Sequence, residues 1–418
     1  MTSVLLLHNH YQQRGGEDAV VEAERDLLLS RGHNVLTYFR HNREIQPNGF
    51  FSAARLGLQT IWARDTYGDL LDLLSKEKPD VAHFHNTLPL ISPAAYYACR
   101  DAGVPVVQTL HNYRLFCPAA TFFREGHLCV ECAEHSLLRS LRYGCYRDSR
   151  PATAAVASML VFHRARRTWT EMVDCYIALT EFSRQKFVAA GLPAEKIVVK
   201  PNFVHPDPSP SPAPSAAEGS AHGDFALFVG RLSPEKGLHT LFSAWKRLGN
   251  RIPLHIVGDG PLLRELDHEK SHLGLSSVIF RGRLSRQSTL EPMKRARFLV
   301  FPSECFENFP MAIVEAFACG VPVIASRLGA MAEIVADGRT GLLFTPGDAE
   351  DLAAKVDWAW SHPQEMEAMG HAARAEYEAK YTAERNYEML IQIYGRVMPV
   401  QQRAEYVSSN SEIPAARL

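Results

Sequence analysis

The residues best suited to chemistry lie in one run, Ser303-Glu304-Cys305-Phe306-Glu307-Asn308-Phe309-Pro310-Met311-Ala312-Ile313-Val314-Glu315. Glu307 falls in a loop after an apolar strand pattern, and Glu315 in the opening turns of a helix whose other face is apolar. Upstream, Gly230-Arg231-Leu232-Ser233-Pro234-Glu235-Lys236-Gly237 follows the first strand of the second half, and Val257-Gly258-Asp259-Gly260-Pro261 follows the next. Arg231 offers a planar fork and Lys236 a point charge, both suited to a diphosphate. A helix starting near Met311 adds backbone N–H donors and the positive end of its dipole. Glu315 can accept from both hydroxyls of a ribose diol and Glu307 from the hydroxyls of a sugar. The Gly258-x-Gly260 turn mimics a dinucleotide fingerprint, but Leu263 occupies the third glycine position, so a dehydrogenase reading is poor.

The first half carries fewer such groups. Gly15 and Gly16 sit between a strand and a helix, where missing side chains let backbone approach a phosphate or sugar. Glu17-Asp18 follows them, and Asn9, His10 and Tyr11 precede them. His111 lies in Leu110-His111-Asn112-Tyr113, just after a strand pattern.

Positioning these groups takes an alternation of strands and helices. Strand patterns recur at Val4-Leu7, Val35-Tyr38, Val81-Phe84, Val106-Thr109, Tyr176-Leu179 and Ile197-Val199, with helical periodicity over Glu17-Ser30 and Thr60-Ser75. A Pro, Ser and Ala-rich tract over 205–223 interrupts them. The pattern restarts at Phe225-Val229, Leu254-Val257, Val278-Phe280, Phe298-Phe301, Val323-Ala325 and Leu342-Phe344, and ends in amphipathic helices over Asp348-Trp360, Gln364-Lys380 and Thr382-Val397. This predicts an α/β protein with two doubly wound domains, 1–204 and 224–385, joined by a linker, with a last helix over 386–400 crossing back to the first. The gap between them is the expected cleft. A chain of 418 residues with 22% charged residues and a net charge of -1 excludes a disordered chain and gives no global argument for nucleic-acid binding.

The motifs of the second half, with Ala318-Cys319-Gly320-Val321-Pro322 and Asp337-Gly338-Arg339-Thr340-Gly341 in order and at matching spacing, resemble glycosyltransferase family 4 over roughly residues 224–360. Those are retaining nucleotide-sugar enzymes of the GT-B type, with two facing Rossmann-like domains. The resemblance implies catalytic roles for His111, Arg231, Lys236 and Glu307. It implies donor-binding roles for Gly15, Gly16, Gly258, Asn308, Phe309, Met311 and Glu315. It further implies front-face attack, with leaving-group stabilisation as the main protein contribution. The commoner family loop reads Glu-Gly-Phe-Gly where this chain has Glu307-Asn308-Phe309-Pro310, and Pro310 cannot donate a backbone hydrogen bond. Glycosyl transfer to a glycan or lipid-linked oligosaccharide is the expected activity. A nucleotide-sugar epimerase of the same architecture and a catalytically silent sugar-nucleotide-binding subunit are the rivals. No Asp-x-Asp stands in a suitable loop, so no metal cofactor is expected in catalysis.

Two features lie outside the general family pattern. Cys117, Cys129, Cys132 and Cys145 stand in a stretch without clear periodicity, a set suited to tetrahedral zinc. From Arg139 to Arg167 there are seven arginines against one acid, Asp148, which suits an anionic membrane surface. The N-terminus lacks a basic region and long apolar run, and Ala152-Phe162 is too short to span a bilayer, so a cytoplasmic chain, peripheral to the inner face of the membrane, is expected. In that compartment its cysteines are not expected to form disulfides.

Overall fold

The computed structural model describes residues 2–13, 15–45, 49–208 and 224–398. Most of the proline-rich tract, and the tail after Met398, lie outside the described residues. The chain divides into two compact units, the first holding Met1–Phe122, Cys129–Asn202 and Glu384–Leu418, the second Phe123–Leu128 and Phe203–Ala383.

The first unit is built on β1 (Ser3–His10), β2 (Asn34–His41), β3 (Val81–Asn86) and β4 (Val106–Thr109). After β4 the chain makes a short antiparallel hairpin, β5 (Phe123–Arg124) with β6 (His127–Leu128), then returns as β7 (Cys175–Ala178) and β8 (Ile197–Val199). The sheet order is β2-β1-β3-β4-β7-β8, with every pair parallel. Parallel sheets are covered on both faces, which is why Val4, Leu5, Leu6 and Leu7 are apolar in succession and fully buried. In β3 the period of two places His83 and His85 on one face, with Ala82 and Phe84 on the other.

The helix read over Thr60-Ser75 is two helices, Phe50–Ile61 and Arg64–Glu77, broken at Trp62. Backbone groups freed by the break are satisfied from outside, which stabilises it: Ala63 N–H donates to Ser92 Oγ (2.9 Å), and the Ile61 carbonyl accepts from His163 Nε2 (2.8 Å). The apolar stretch Ala152-Phe162 lies within a helix, Arg150–Ala165, whose Met159 and Leu160 are buried while Val161 and Phe162 are exposed.

The last helix, Ala383–Val397, places Leu390, Ile391 and Tyr394 in one apolar cluster with Val4, Leu6, Val81 and Ile177 of the first sheet. Each such side chain contributes about 1.5–3 kcal/mol relative to exposure. The chain therefore joins the first unit from Glu384 onward.

The second unit comprises β9 (Ala226–Val229), β10 (Leu254–Val257), β11 (Val278–Gly282), β12 (Phe298–Phe301), β13 (Val323–Ser326) and β14 (Gly341–Phe344). Their order, β11-β10-β9-β12-β13-β14, is again wholly parallel. Ala226 and Phe228 join the cluster containing Phe242, Trp245 and Leu352, whereas Leu227 joins that of Ile313, Phe317 and Tyr377. Two Rossmann-like units result, as expected. Strand order reverses between β1 and β3 in the first sheet and between β9 and β12 in the second. In such sheets the loops at a reversal splay apart and leave a ligand crevice at the strands' carboxyl ends.

Candidate active site

The loops leaving β9 and β12 flank the reversal of the second sheet and carry the residues singled out in the sequence. Their backbones approach closely. At Gly237 (φ 68°) a Cβ would collide with the Pro302 carbonyl. Across this seam Glu304 N–H donates to the Glu235 carbonyl (2.9 Å), with Ser303 Oγ 3.1 Å from the same carbonyl. Lys236 Nζ then reaches Glu307 Oε1 at 2.6 Å, and Ser303 Oγ donates to the same oxygen at 2.6 Å. Burial would lower the Lys236 pKa, but Glu307 outweighs it and holds the ammonium above its usual range. Arg231 is exposed on the β9 loop.

Gly258 (φ 148°) plays a spacing role, since a Cβ there would fall on the Gly230 carbonyl. Its absence lets the β10 loop pack on the β9 loop, where Leu232 N–H donates to the Asp259 carbonyl (3.0 Å). After β12, the helix Met311–Ala318 begins at the residue the sequence indicated, with no side chain capping its N-terminus. Phe309 and Met311 pack against the apolar cluster beneath, Phe309 edge-on to Tyr381 at 6.0 Å, and Asn308 is buried. Glu315 Oε1 accepts from Arg286 Nε at 3.0 Å. Burial raises the Glu315 pKa and Arg286 opposes the rise. Sequence reasoning missed Arg286. It follows Ser285, the N-cap of the helix Arg286–Arg295, and a capping serine was the one local signal pointing to a helix start there.

In the first unit Gly15 and Gly16 open the helix Gly16–Ser30 after β1. Asp18 clamps this turn, accepting from Gly15 N–H (2.8 Å), His8 Nε2 (2.8 Å) and His10 Nδ1 (3.2 Å). Burial would raise its pKa, but the bonds from His10, His8 and Gly15 N–H hold it well below the usual range. Glu17 has the opposite character. Its Oε2 accepts from Tyr11 Oη (3.0 Å), its Oε1 is buried with no partner among the described residues, and burial pushes its pKa up to about 8.

His111 Nε2 lies 2.9 Å from His85 Nδ1, and the rings stack with centroids 5.2 Å apart. Burial, reinforced by His8, lowers the His111 pKa to about 3, so the imidazole is neutral and one ring of the pair donates to the other. Behind them Glu24 Oε2 meets Lys200 Nζ at 3.3 Å and Glu24 Oε1 meets His83 Nδ1 at 3.1 Å. Despite burial, Lys200 and His83 keep the Glu24 carboxylate ionised. His83, His85 and Glu24 were not anticipated, although two histidines at period two among the apolar residues Val81, Ala82 and Phe84 were the available signal.

None of the eight cysteines forms a disulfide. Among the described residues, the groups of ligand atoms mutually within 4.8 Å are His8–His10–Asp18 and Glu24–His83–His85; the four cysteines do not form such a group. The arginine-rich stretch is largely engaged: Arg139 pairs with Glu131 (3.0 Å), and Arg147, Arg164 and Arg166 lie over the rings of Tyr146, Phe116 and Tyr97.

The family described as "Glycosyltransferase Family 4" matches residues 2–208, and that described as "Glycosyl transferases group 1" matches residues 217–376. The chain belongs to this glycosyltransferase family. It is 36% identical over 161 residues to the D-rhamnosyltransferase WbpZ of Pseudomonas aeruginosa, a match covering 38% of this chain and 42% of that protein. The chain thus spans less than half the length of the first curated relatives it matches. In three dimensions it resembles HepE of Anabaena in complex with UDP and glucose (TM-score 0.65, 22% identity, 98% of this chain and 100% of that one). It also resembles the sucrose-phosphate synthase of Thermosynechococcus elongatus (TM-score 0.71, 18% identity, 95% and 99%). These likenesses establish the GT-B type of fold with its two Rossmann-like units. No helix among the described residues is long and apolar enough to cross a membrane.

The raised Glu17 pKa has a consequence for stability. Between the ordinary carboxylate pKa and about 8, folded Glu17 holds a proton that the unfolded chain has released, so its contribution to stability falls as pH rises through that window. Glu17→Gln should flatten the decline by up to about 1.4 kcal/mol per pH unit, read from urea unfolding at pH 5 to 8. An unchanged slope would show that Glu17 is ionised in the folded protein.

Proposed function

We propose that the chain is a retaining glycosyltransferase that moves a sugar from a nucleoside diphosphate donor to a hydroxyl of a glycan or lipid-linked oligosaccharide, without a catalytic metal. The observation that carries this reading is the Lys236–Glu307 pair at the strand-order reversal, with Arg231 on the same loop and Glu315 on the helix after β12. A donor diphosphate carries negative charge that grows as the bond from the anomeric carbon to the β-phosphate oxygen breaks. Lys236 and Arg231 stabilise that charge, and groups of this kind are worth on the order of a hundredfold each in rate. The acceptor hydroxyl attacks from the face the phosphate leaves, and its proton passes to the departing phosphate oxygen. Glu307, while paired with Lys236, has acceptor capacity left for donor-sugar hydroxyls, and Glu315 takes the ribose diol. The role that family resemblance gives His111 is that of a neutral hydrogen-bonding group. Because the HepE structure holds UDP and glucose, a uridine diphosphate sugar is the donor to try first.

On the acceptor side, a cavity of about 250 Å³ in the first unit is lined by Tyr11, Asn42, Asn86, Arg114, Tyr146 and Arg147. Its amides, phenols and guanidiniums suit a hydroxylated acceptor bearing an anionic group. A lipid-linked acceptor would bring the chain to the cytoplasmic face of a membrane, where exposed Leu138, Val161 and Phe162 accompany the arginines.

The activity is tested by product analysis with radiolabelled donors and mixed lipid acceptors. Wild-type chain should yield a glycoside of unchanged anomeric configuration. Lys236→Ala should lower the rate by about a hundredfold or more. Free epimer as the product, or transfer that survives the substitution, would refute the assignment. The membrane reading is checked separately: the chain should co-sediment with phosphatidylglycerol vesicles at low salt and release as salt is raised. Failure to bind under those conditions would remove the membrane from the account.

A further inference from the structure

The partner of Glu315 comes from neither the β9 loop nor the β12 loop. Arg286 is the first residue of the helix Arg286–Arg295, which Ser285 caps by accepting a bond from Ser288 N–H on its Oγ at 3.1 Å. Glu315 lies midway along the helix Met311–Ala318. Met293 of the first helix is buried in one apolar cluster with Ile313 and Val314 of the second, so close packing holds the two helices in a fixed relation. Each nitrogen of the guanidinium then meets a different environment. Nε donates to Glu315 Oε1 at 3.0 Å, and Nη1 donates to the His205 carbonyl at 3.2 Å. Nη2 is buried with no partner among the described residues.

An arginine and a carboxylate left to themselves close as a fork, with two parallel bonds to the two oxygens. That fork would satisfy Nη2, and leaving a buried donor unmade is costly. The His205 carbonyl instead holds the guanidinium from its other side, and the pair makes a single bond. This carbonyl is a firm anchor. Val204 N–H donates to the Tyr381 carbonyl (3.1 Å), Tyr377 Oη donates to the Val204 carbonyl (3.2 Å), and Arg374 holds Asp207 by two bonds of 2.7 Å. Glu315 Oε2 accordingly accepts no bond among the described residues, and it is not sealed from solvent.

We propose that Arg286 is a positioning residue that reserves Oε2 of Glu315 for a ribose diol, and that it thereby makes the site selective for ribonucleoside over deoxyribonucleoside diphosphate sugars. One oxygen of an ionised carboxylate offers two acceptor positions, one for each hydroxyl of the diol. With Oε1 engaged by Nε, both positions belong to an oxygen whose place is set by the protein. A donor without its 2′-hydroxyl leaves one of them unpaired, and an unpaired polar group in a site built to bond it is what rejects a substrate most strongly. Arg286 also opposes the burial that pushes the Glu315 pKa up, which favours the charged, accepting form. The inference rests on the reading of Glu315 as the group that takes the ribose; the diphosphate contacts of Lys236 and Arg231 have no part in it.

The test titrates uridine diphosphate and 2′-deoxyuridine diphosphate separately into the full chain and reads the ratio of the two affinities. The ligands share base and phosphates, so general damage to the site weakens both and leaves the ratio alone. Wild-type chain should favour the ribonucleotide by about tenfold or more, the effect of one hydrogen bond to a charged group. Arg286→Met should bring the ratio to within about twofold of unity. Arg286→Gln, which can still donate one bond to Oε1 and serves where the methionine variant does not fold, should give an intermediate ratio. A wild-type ratio retained by these variants, even with both affinities lowered, would overturn the proposal. A ratio near unity in the wild type would overturn the ribose role of Glu315 and the proposal with it, whereas binding of neither nucleotide would overturn the nucleotide-sugar reading itself.

Discussion

The site of the second unit depends on the ion pair between Lys236 and Glu307. These residues leave different strands, and they meet at 2.6 Å only because the β9 and β12 loops are drawn together at the point where strand order reverses. Gly237 permits that approach by leaving room for the Pro302 carbonyl, and Ser303 Oγ donates to Glu307 while lying 3.1 Å from the Glu235 carbonyl. The pair is largely screened from solvent, with side chains 21% and 13% exposed. A lone carboxylate or ammonium there would be costly, and removing one partner leaves the other uncompensated. On the proposed reading, a diphosphate entering the site would meet an ammonium already charged and oriented, the form of preorganisation that stabilises developing charge at least expense.

The first unit solves a related problem with a row of buried polar groups. Lys200, Glu24, His83 and His85 connect in sequence behind His111, and the last helix contributes Tyr394, whose hydroxyl lies 2.8 Å from His83 Nδ1. A neutral imidazole is held in one orientation by its neighbour instead of by solvent. Next to this row, two adjacent acids diverge in character because of their surroundings. Asp18 is ringed by donors and stays ionised, whereas Glu17, with one buried oxygen unpartnered, favours its proton.

Much of this was legible in the sequence because it depends on local pattern. Apolar runs such as Val4-Leu7 and Phe298-Phe301 mark buried parallel strands, and the glycine-bearing loop after β9 carries Arg231 and Lys236, the loop after β12 Glu307 and the helix following it Glu315. What escaped were partners brought from far along the chain. Arg286 meets Glu315 across 29 positions, and His85 meets His111 across 26. The break at Trp62 was hidden for the same reason, since Ser92 and His163 supply its compensating bonds. Asp18 could not be assigned from sequence because its role is set by histidines that precede it on the strand.

The central claim is that the β9–β12 reversal binds a nucleoside diphosphate through charge. Calorimetric titration of uridine diphosphate and related nucleoside diphosphates into the full chain measures this directly. The account predicts one site whose affinity falls at least about tenfold in Arg231→Ala, while His111→Ala on the other unit leaves it nearly unchanged. Equal affinity in the wild type and Arg231→Ala, or loss caused by His111→Ala alone, would contradict it.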